Sequence, residues 1–348
     1  MLMEDLGNKV VIPPRPSKRT LDLGVRYTPE FSCLPLKILM GTYLETIEMG
    51  ADTIYTSGGS GPCRAGEYAM LHHKILQDIG YNVRMVVIES PNQFPFKFLK
   101  SIWELNQARL SIKAVIACIK RWWRKQIALD NIEKLSHVIR PREINRGMTT
   151  KVYREVLDWI EKAYTTEQVV EAEAAATDAL RSIPQDSERD VLRIGLVGEV
   201  YVLIEPSSNH EIEEMLGNLG VEVNREMYLT GWIADNAWKE SFEGVTARDA
   251  AAQYLPEVIG GHAQDTIGQT ILCAKKGFDG VIQLAPFSCI PEIVARTILT
   301  KVSSDWDIPV LTFFLDEQTG KAGMATRMEA FVDLLRFRKR KRLIKAAR

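Results

Sequence analysis

Cysteine is scarce in this chain: five residues in 348, an odd and sparse set that excludes a disulfide framework. No two of them form a CxxC pair, so the four-ligand pattern of a structural zinc site is missing as well. No apolar run approaches the about 18–20 residues needed to cross a bilayer. The opening segment MLMEDLGNKVVIPPRPSKRT carries acidic residues early and no apolar stretch, so it reads as no secretory signal, and the expected location is cytoplasmic. An excess of one charge is lacking too. Lys and Arg number 44 against 45 Asp and Glu, a net charge of −1, and nothing global points to nucleic acid or an anionic membrane. There is no GxxxxGK[ST] motif, so ATP would be handled by another protein. No GxGxxG follows a strand; the nearest glycine cluster, SGGSG, runs into a cysteine and does not fit a dinucleotide fingerprint.

What is present is an α/β rhythm, on a chain that is 46% apolar and long enough for one large or two ordinary domains. Residues 1–24 read as an irregular, proline-containing arm. Residues 35–49 carry helical spacing, ADTIYTSG reads as a strand entering a glycine-rich turn, residues 64–79 as a helix and NVRMVVIE as a strand. From residue 98 to about 180 there are only long helical patterns. The rhythm resumes at Val191 with VLRIGLVGEVYVL as a strand, then HEIEEMLGNLG (helix), VEVNREMYL (strand), DTIGQTILCAKKG (helix), DGVIQLAPF (strand), PEIVARTILTKVSS (helix), IPVLTFFLD (strand) and a closing helix. Strands alternating with helices imply parallel sheets covered on both faces. The expected architecture is two Rossmann- or flavodoxin-like α/β lobes (residues 25–97 and 186–348) with a helical insert between them (residues 98–185).

Three cysteines share a context. Cys33 in PEFSCLPLK precedes a predicted helix with Pro35 in its first turn. Cys63 in SGGSGPCRAGEY and Cys289 in APFSCIPE lie on strand-to-helix turns, where parallel sheets bind ligands. Helix N-termini present unpaired N–H groups that favour a thiolate and an anionic cluster. Gly58, Gly59 and Gly61 allow the backbone to approach the Cys63 sulfur closely. From context alone, ligation and simple burial as small hydrophobes both stay open for these three. Cys118 and Cys273 sit inside helical patterns and read as core.

PEFSCLPLK, GADTIYTSGGSGPCRAGEY, VGEVYVLIEPSSN, GGHAQDTIG, KKGFDGVIQLAPFSCIPE and IPVLTFFLDEQTGKAGMATRMEAFVDLL together carry a resemblance. The chain resembles the 2-hydroxyacyl-CoA dehydratase family, in particular its stand-alone CoA-protein activase relatives, over most of its length from Tyr27 onward. The resemblance implies two α/β lobes with a [4Fe–4S] cluster in the cleft between them, held by Cys33, Cys63 and Cys289 with the fourth iron open. It implies a partner, an ATP-hydrolysing iron–sulfur activator that injects a low-potential electron, and radical dehydration of a 2-hydroxyacyl-CoA or reduction of a small substrate. The alternative it leaves is a non-catalytic electron-transfer component docking on an activase or larger reductase. Two unlike subunits in the dehydratases imply a homo- or hetero-dimer. This chain departs from the family pattern in its short N-terminal lead and in having too few cysteines for two sulfide-bridged cubanes.

Other residues have two readings each. His262 in GGHAQDTIG is a catalytic candidate that would donate to a substrate or approach the cluster, or else a capping or packing residue. Glu199, beside Tyr201, is the polar exception in an apolar stretch: an acid or base with a raised pKa, or one half of a structural ion pair. Arg64 and Arg296, at or soon after the cysteine-bearing turns, would neutralise the cluster or a CoA phosphate, or stand solvated. Asp316, Glu317 and Arg327 are expected to form an ion-pair network shaping the cleft. The basic stretches RWWRK and FRKRKRLIK read as solvated faces or docking sites for an acidic partner.

Overall fold

The computed structural model describes residues 1–58, 63–90, 94–225, 227–237 and 246–346. In chain order the elements are α1 (Leu2–Asp5), α2 (Lys18–Tyr27), α3 (Leu34–Glu48), β1 (Thr53–Ser57), a 3-10 turn (Arg64–Glu67), α4 (Tyr68–Asp78), β2 (Arg84–Ile88), α5 (Pro95–Leu105), α6 (Ile112–Ile139), α7 (Met148–Lys162), α8 (Thr166–Arg181), β3 (Leu192–Gly198), α9 (Val200–Ile204), α10 (Ile212–Asn218), β4 (Val221–Arg225), α11 (Leu229–Ala237), α12 (Ala247–Ala251), α13 (Ala263–Lys275), β5 (Gly280–Pro286), α14 (Ile290–Asp305), β6 (Val310–Leu315) and α15 (Lys321–Ala346). All strand pairs are parallel: β1 with β2, and a second sheet in the order β4-β3-β5-β6. The chain is therefore α/β with parallel sheets, compatible with a Rossmann-like fold. No helix among the described residues is long and apolar enough to cross a membrane.

Two expectations are corrected. The irregular arm expected over residues 1–24 is confined to residues 8–17, between α1 and α2. Ser17 and Thr20 form a reciprocal capping box that starts α2, and α2 lies so close to α3 that a Cβ on Gly24 would come within 1.8 Å of the Lys37 carbonyl oxygen. Nor is VLRIGLVGEVYVL one strand. β3 stops at Gly198, and the Glu199 carboxylate accepts from the Val202 N–H at 3.1 Å, capping the short helix α9. The apolar run hid that break because the strand and the helix are both buried here.

Three apolar cores matter for the site. The four-stranded sheet contributes Ile194, Leu196, Ile282, Leu284 and Phe313 to one core, which Leu34 and Ile38 of α3 join. β1 and α4 pack on the opposite side of α3 through Ile54, Leu76, Met40 and Leu44. Helix α3 is thus shared between the surroundings of both sheets. The helices α6, α7 and α8 bury Ile132, Val156, Ile160, Val169 and Leu180 among themselves, so the helical segment needs no strand to cover its apolar faces.

Candidate functional site

The strand order decides where a site can form. From β3 the chain builds outward to β4, then returns to the other side of β3 for β5 and β6. That reversal opens a crevice at the carboxyl ends of β3 and β5. Glu199 follows β3 directly, and Cys289 lies on the turn just beyond β5. Gly198 is needed at this corner: its φ is +141°, and a Cβ would come 1.9 Å from the Leu284 carbonyl oxygen.

Each of the three candidate cysteines occupies the residue before a helical start. Cys33 precedes α3, Cys63 the 3-10 turn and Cys289 helix α14. Their turns are joined by one side chain. The Arg64 guanidinium donates to the Phe31 carbonyl at 3.0 Å and to the Ser288 carbonyl at 2.7 Å, with its second Ser288 contact, to Oγ, at 3.2 Å. Ser288 Oγ in turn donates to the Phe31 carbonyl at 3.0 Å. Arg64 adjoins Cys63, Phe31 stands two residues before Cys33 and Ser288 adjoins Cys289, so a single arginine links all three turns. Ser288, just before Cys289, holds a φ of +65°, a conformation a non-glycine residue adopts at a cost. Gly261 is wedged between Pro291 and Cys63: a Cβ on it would stand 3.9 Å from the Cys63 sulfur. Gly58 lies beside the Glu89 carboxylate instead, and Gly59 and Gly61 are outside the described residues.

The electrostatics are those of crowded, buried groups that resist ionising. Burial pushes the Cys33 thiol up; its hydrogen bond with the Tyr68 hydroxyl and the charge of Arg64 work against that, and Glu199 adds to it. Burial likewise pushes Cys289 well up, aided by Glu292, Glu199 and Cys33. No side chain caps α3 or α14 by a hydrogen bond, yet the first-turn N–H groups of Leu36 and Glu292 still favour the two thiolates. Tyr68 is raised by burial, by Cys33 with which it shares a hydrogen bond, by Glu199 and by Cys63. Glu199 is raised by burial to about 7, held down only by the Tyr201 and Val202 N–H groups. It can therefore give or take a proton near neutral pH.

A site of buried thiols and carboxyls with Arg64 beside Cys33 gains from a bound cationic centre. Among the described residues the one set of three ligand-type side chains whose donor atoms lie within 4.8 Å of one another is Glu133, His137 and Glu213. The three sulfurs are therefore not spaced as ligands of a single ion. A polynuclear iron–sulfur group takes each thiolate on a different iron, so a wider spacing suits it better than zinc. Three thiols at helical starts are the kind of donor that the [4Fe–4S] group implied by the resemblance would take.

Sequence reasoning overlooked Tyr68, Ser288 and Glu292. Tyr68 closes the very segment that carries Cys63, but its partner Cys33 is 35 residues away in the chain. Glu292 is fully buried one turn into α14 and accepts from Thr266 Oγ1 at 3.0 Å and Gln283 Nε2 at 2.9 Å. Burial raises its carboxyl to about 7. The charged form thus opposes folding: the cost is absent below the unfolded value, grows as pH rises through about 7, and is constant above. Glu292→Gln is expected to stabilise the metal-free protein by up to about 3 kcal/mol at pH 8 and by nothing at pH 4. Denaturant midpoints at the two pH values measure it; an equal shift at both would refute a charge effect.

The remaining candidates are placed differently. His262 precedes α13, accepts from Trp232 Nε1 at 3.2 Å, and is kept neutral by burial. It follows Gly261 and so borders the Cys63 side of the site. Arg296 stands exposed on α14, two turns past Cys289. The expected network of Asp316, Glu317 and Arg327 does not form. Glu317 instead pairs with buried Lys37 of α3 at 2.8 Å, Asp316 accepts from Thr319 Oγ1 at 2.8 Å, and Arg327 donates to the Thr312 carbonyl at 2.7 Å over the Phe313 ring. RWWRK turns onto partners within the chain, and FRKRKRLIK does so in part, with Arg340 and Lys341 exposed. Arg121 pairs with Asp5, Arg124 with Glu173, and Lys125 donates to the Glu161 and Ala163 carbonyls. Arg338 and Arg342 share Asp307, and Lys339 pairs with Asp190. Cys118 and Cys273 are buried.

The Glu133, His137 and Glu213 group already has its cation. Arg225, 1% exposed, reaches Glu133 at 2.6 Å and Glu213 at 2.9 Å. Burial drives His137 down to about 3, so it sits there neutral. The cluster ties α6 to β4 and α10 and reads as a buried ionic staple.

No protein-family model and no curated protein matches the chain.

Proposed function

We propose that the chain is an iron–sulfur protein of the 2-hydroxyacyl-CoA dehydratase type. In this reading Cys33, Cys63 and Cys289 hold a [4Fe–4S] cluster that supplies low-potential one-electron chemistry, fed by an ATP-hydrolysing activator. The observation that carries it is Arg64, whose bonds to Phe31 and Ser288 draw the three cysteine turns together. Arg64 also gives the site a positive charge against an anionic group. Leu36 and Glu292 N–H groups favour the thiolates. Tyr68 is positioned to donate to the Cys33 sulfur. Glu199, with its carboxyl near neutrality, is the residue suited to move a proton during dehydration or reduction.

A second reading, an electron relay without its own substrate, is favoured by one feature. The cavity beside Cys33, lined by Phe31, Leu34, Lys37, Phe287 and Glu317, holds only about 120 Å³, against roughly 300–1,000 Å³ for small-molecule sites. Turnover separates the two. With activator, ATP and a panel of 2-hydroxyacyl-CoA esters under strict anaerobiosis, the first reading expects dehydration that Glu199→Gln cuts about a hundredfold or more. Oxidation of reduced activator with no product from any ester favours the relay.

A further inference from the structure

Helix α5 carries an apolar stripe that no described residue covers. Its inner face is accounted for: Ile102 and Leu105 pack with Tyr55, Ile88 and Val115, and Ser101 Oγ donates to the Val87 carbonyl at 2.8 Å. Its outer face repeats Phe96, Leu99 and Trp103 at helical spacing, and these are 86%, 62% and 65% exposed. Three large apolar side chains on one helix face, this open to water, mark a contact surface rather than scattered exposure.

The charge around the stripe says what covers it. Beside the stripe stand Arg84, Lys97, Lys100 and Arg109 against the acids Glu89 and Glu104, in a chain whose net charge is −1. Glu104 is already bonded to Arg84 at 3.0 Å. Lys97 and Lys100 flank the stripe and reach carboxylates only at 3.8 and 3.9 Å, with side chains 66% and 77% exposed. Beside Trp103 opens a cavity of about 420 Å³ lined by Arg84, Glu104, Asn106, Gln107 and Arg109. Arg109 holds a φ of +53° at its edge, a conformation a non-glycine residue adopts at a cost.

We propose that this face binds an anionic phospholipid surface peripherally. Phe96, Leu99 and Trp103 enter the boundary between headgroups and acyl chains. Lys97 and Lys100 extend to lipid phosphates, and Arg109 at the cavity beside Trp103 faces a headgroup. A second copy of the chain is a poorer occupant, since two such basic faces repel when brought together. The inference is independent of the cluster assignment.

Vesicle co-sedimentation of the full chain tests it. The protein is expected to pellet with phosphatidylcholine–phosphatidylglycerol vesicles and not with phosphatidylcholine alone, with binding falling as salt rises. Lys97→Gln/Lys100→Gln should weaken binding by about tenfold or more, and Phe96→Ser/Leu99→Ser should abolish it. Unchanged circular dichroism and thermal midpoints would show that both variants fold. No pelleting with either vesicle, or pelleting that both folded variants retain, overturns the proposal. So does binding to soluble polyglutamate without vesicle binding, which would identify an acidic protein partner. A dimer that Phe96→Ser/Leu99→Ser converts to monomer overturns it as well.

Discussion

Reconstituted under anaerobic conditions, the protein is expected to carry about four irons and four sulfides per chain, and to lose most of both when Cys33, Cys63 or Cys289 is replaced by alanine. Cys118→Ala should retain the full complement, because Cys118 is buried among the core residues of α6. Burial holds Cys33 and Cys289 protonated, and their neighbours Glu199 and Glu292 add negative charge. A cluster replaces those protons with iron and satisfies the sulfurs at once. Arg64→Ala leaves all three sulfurs in place but unties their turns, so it should load iron and release it faster. Electron paramagnetic resonance after reduction, with iron and sulfide analysis, reads every one of these variants. A colourless wild-type protein, or loss of iron in Cys118→Ala equal to that in Cys63→Ala, would end the assignment.

The other large effect is expected far from the cysteines. Arg225→Met should destabilise the protein by about 3–5 kcal/mol, because it leaves Glu133 and Glu213 buried without their counter-charge. Arg225 also donates to the Met227 carbonyl at 3.0 Å and lies over the Tyr228 ring, so the loss has a packing part. Removing the carboxylates at the same time, as Glu133→Gln/Glu213→Gln/Arg225→Met, should return most of that stability. Thermal and denaturant midpoints of the single and triple variants decide it. A cost below about 1 kcal/mol for Arg225→Met would mean that water already solvates the pair, as at a surface bridge.

Much of the secondary structure was legible in the sequence because burial imposes period and punctuation. Helix α3 could be read from the apolar spacing of residues 35–49 with Pro35 in its first turn, and its observed span is Leu34–Glu48. The strands β1, β2, β5 and β6 are short apolar or alternating runs bounded by turn residues. Where one buried element follows another without punctuation, periodicity is silent, as at Gly198 and Glu199. The prolines at the N-terminus masked α2, whose evidence is a hydroxyl capping box and a close fit to α3.

Residue types and local contexts on their own established that three cysteines precede helical starts, that Glu199 stands out in an apolar stretch, and that Arg64 follows Cys63. Only the tertiary structure decided which of these meet. Contacts between residues far apart in the chain depend on strand order and helix packing, which no local pattern encodes. Strand order put Glu199 and Cys289 at the ends of neighbouring strands. Arg64 became the tie between turns 33 and 224 residues away, and Tyr68 the partner of Cys33. The same distance dependence separated Glu317 from Arg327 and gave it Lys37, and turned the charges of RWWRK inward. It also left the α5 stripe bare, since a helix face is covered or exposed only by what the rest of the chain brings to it.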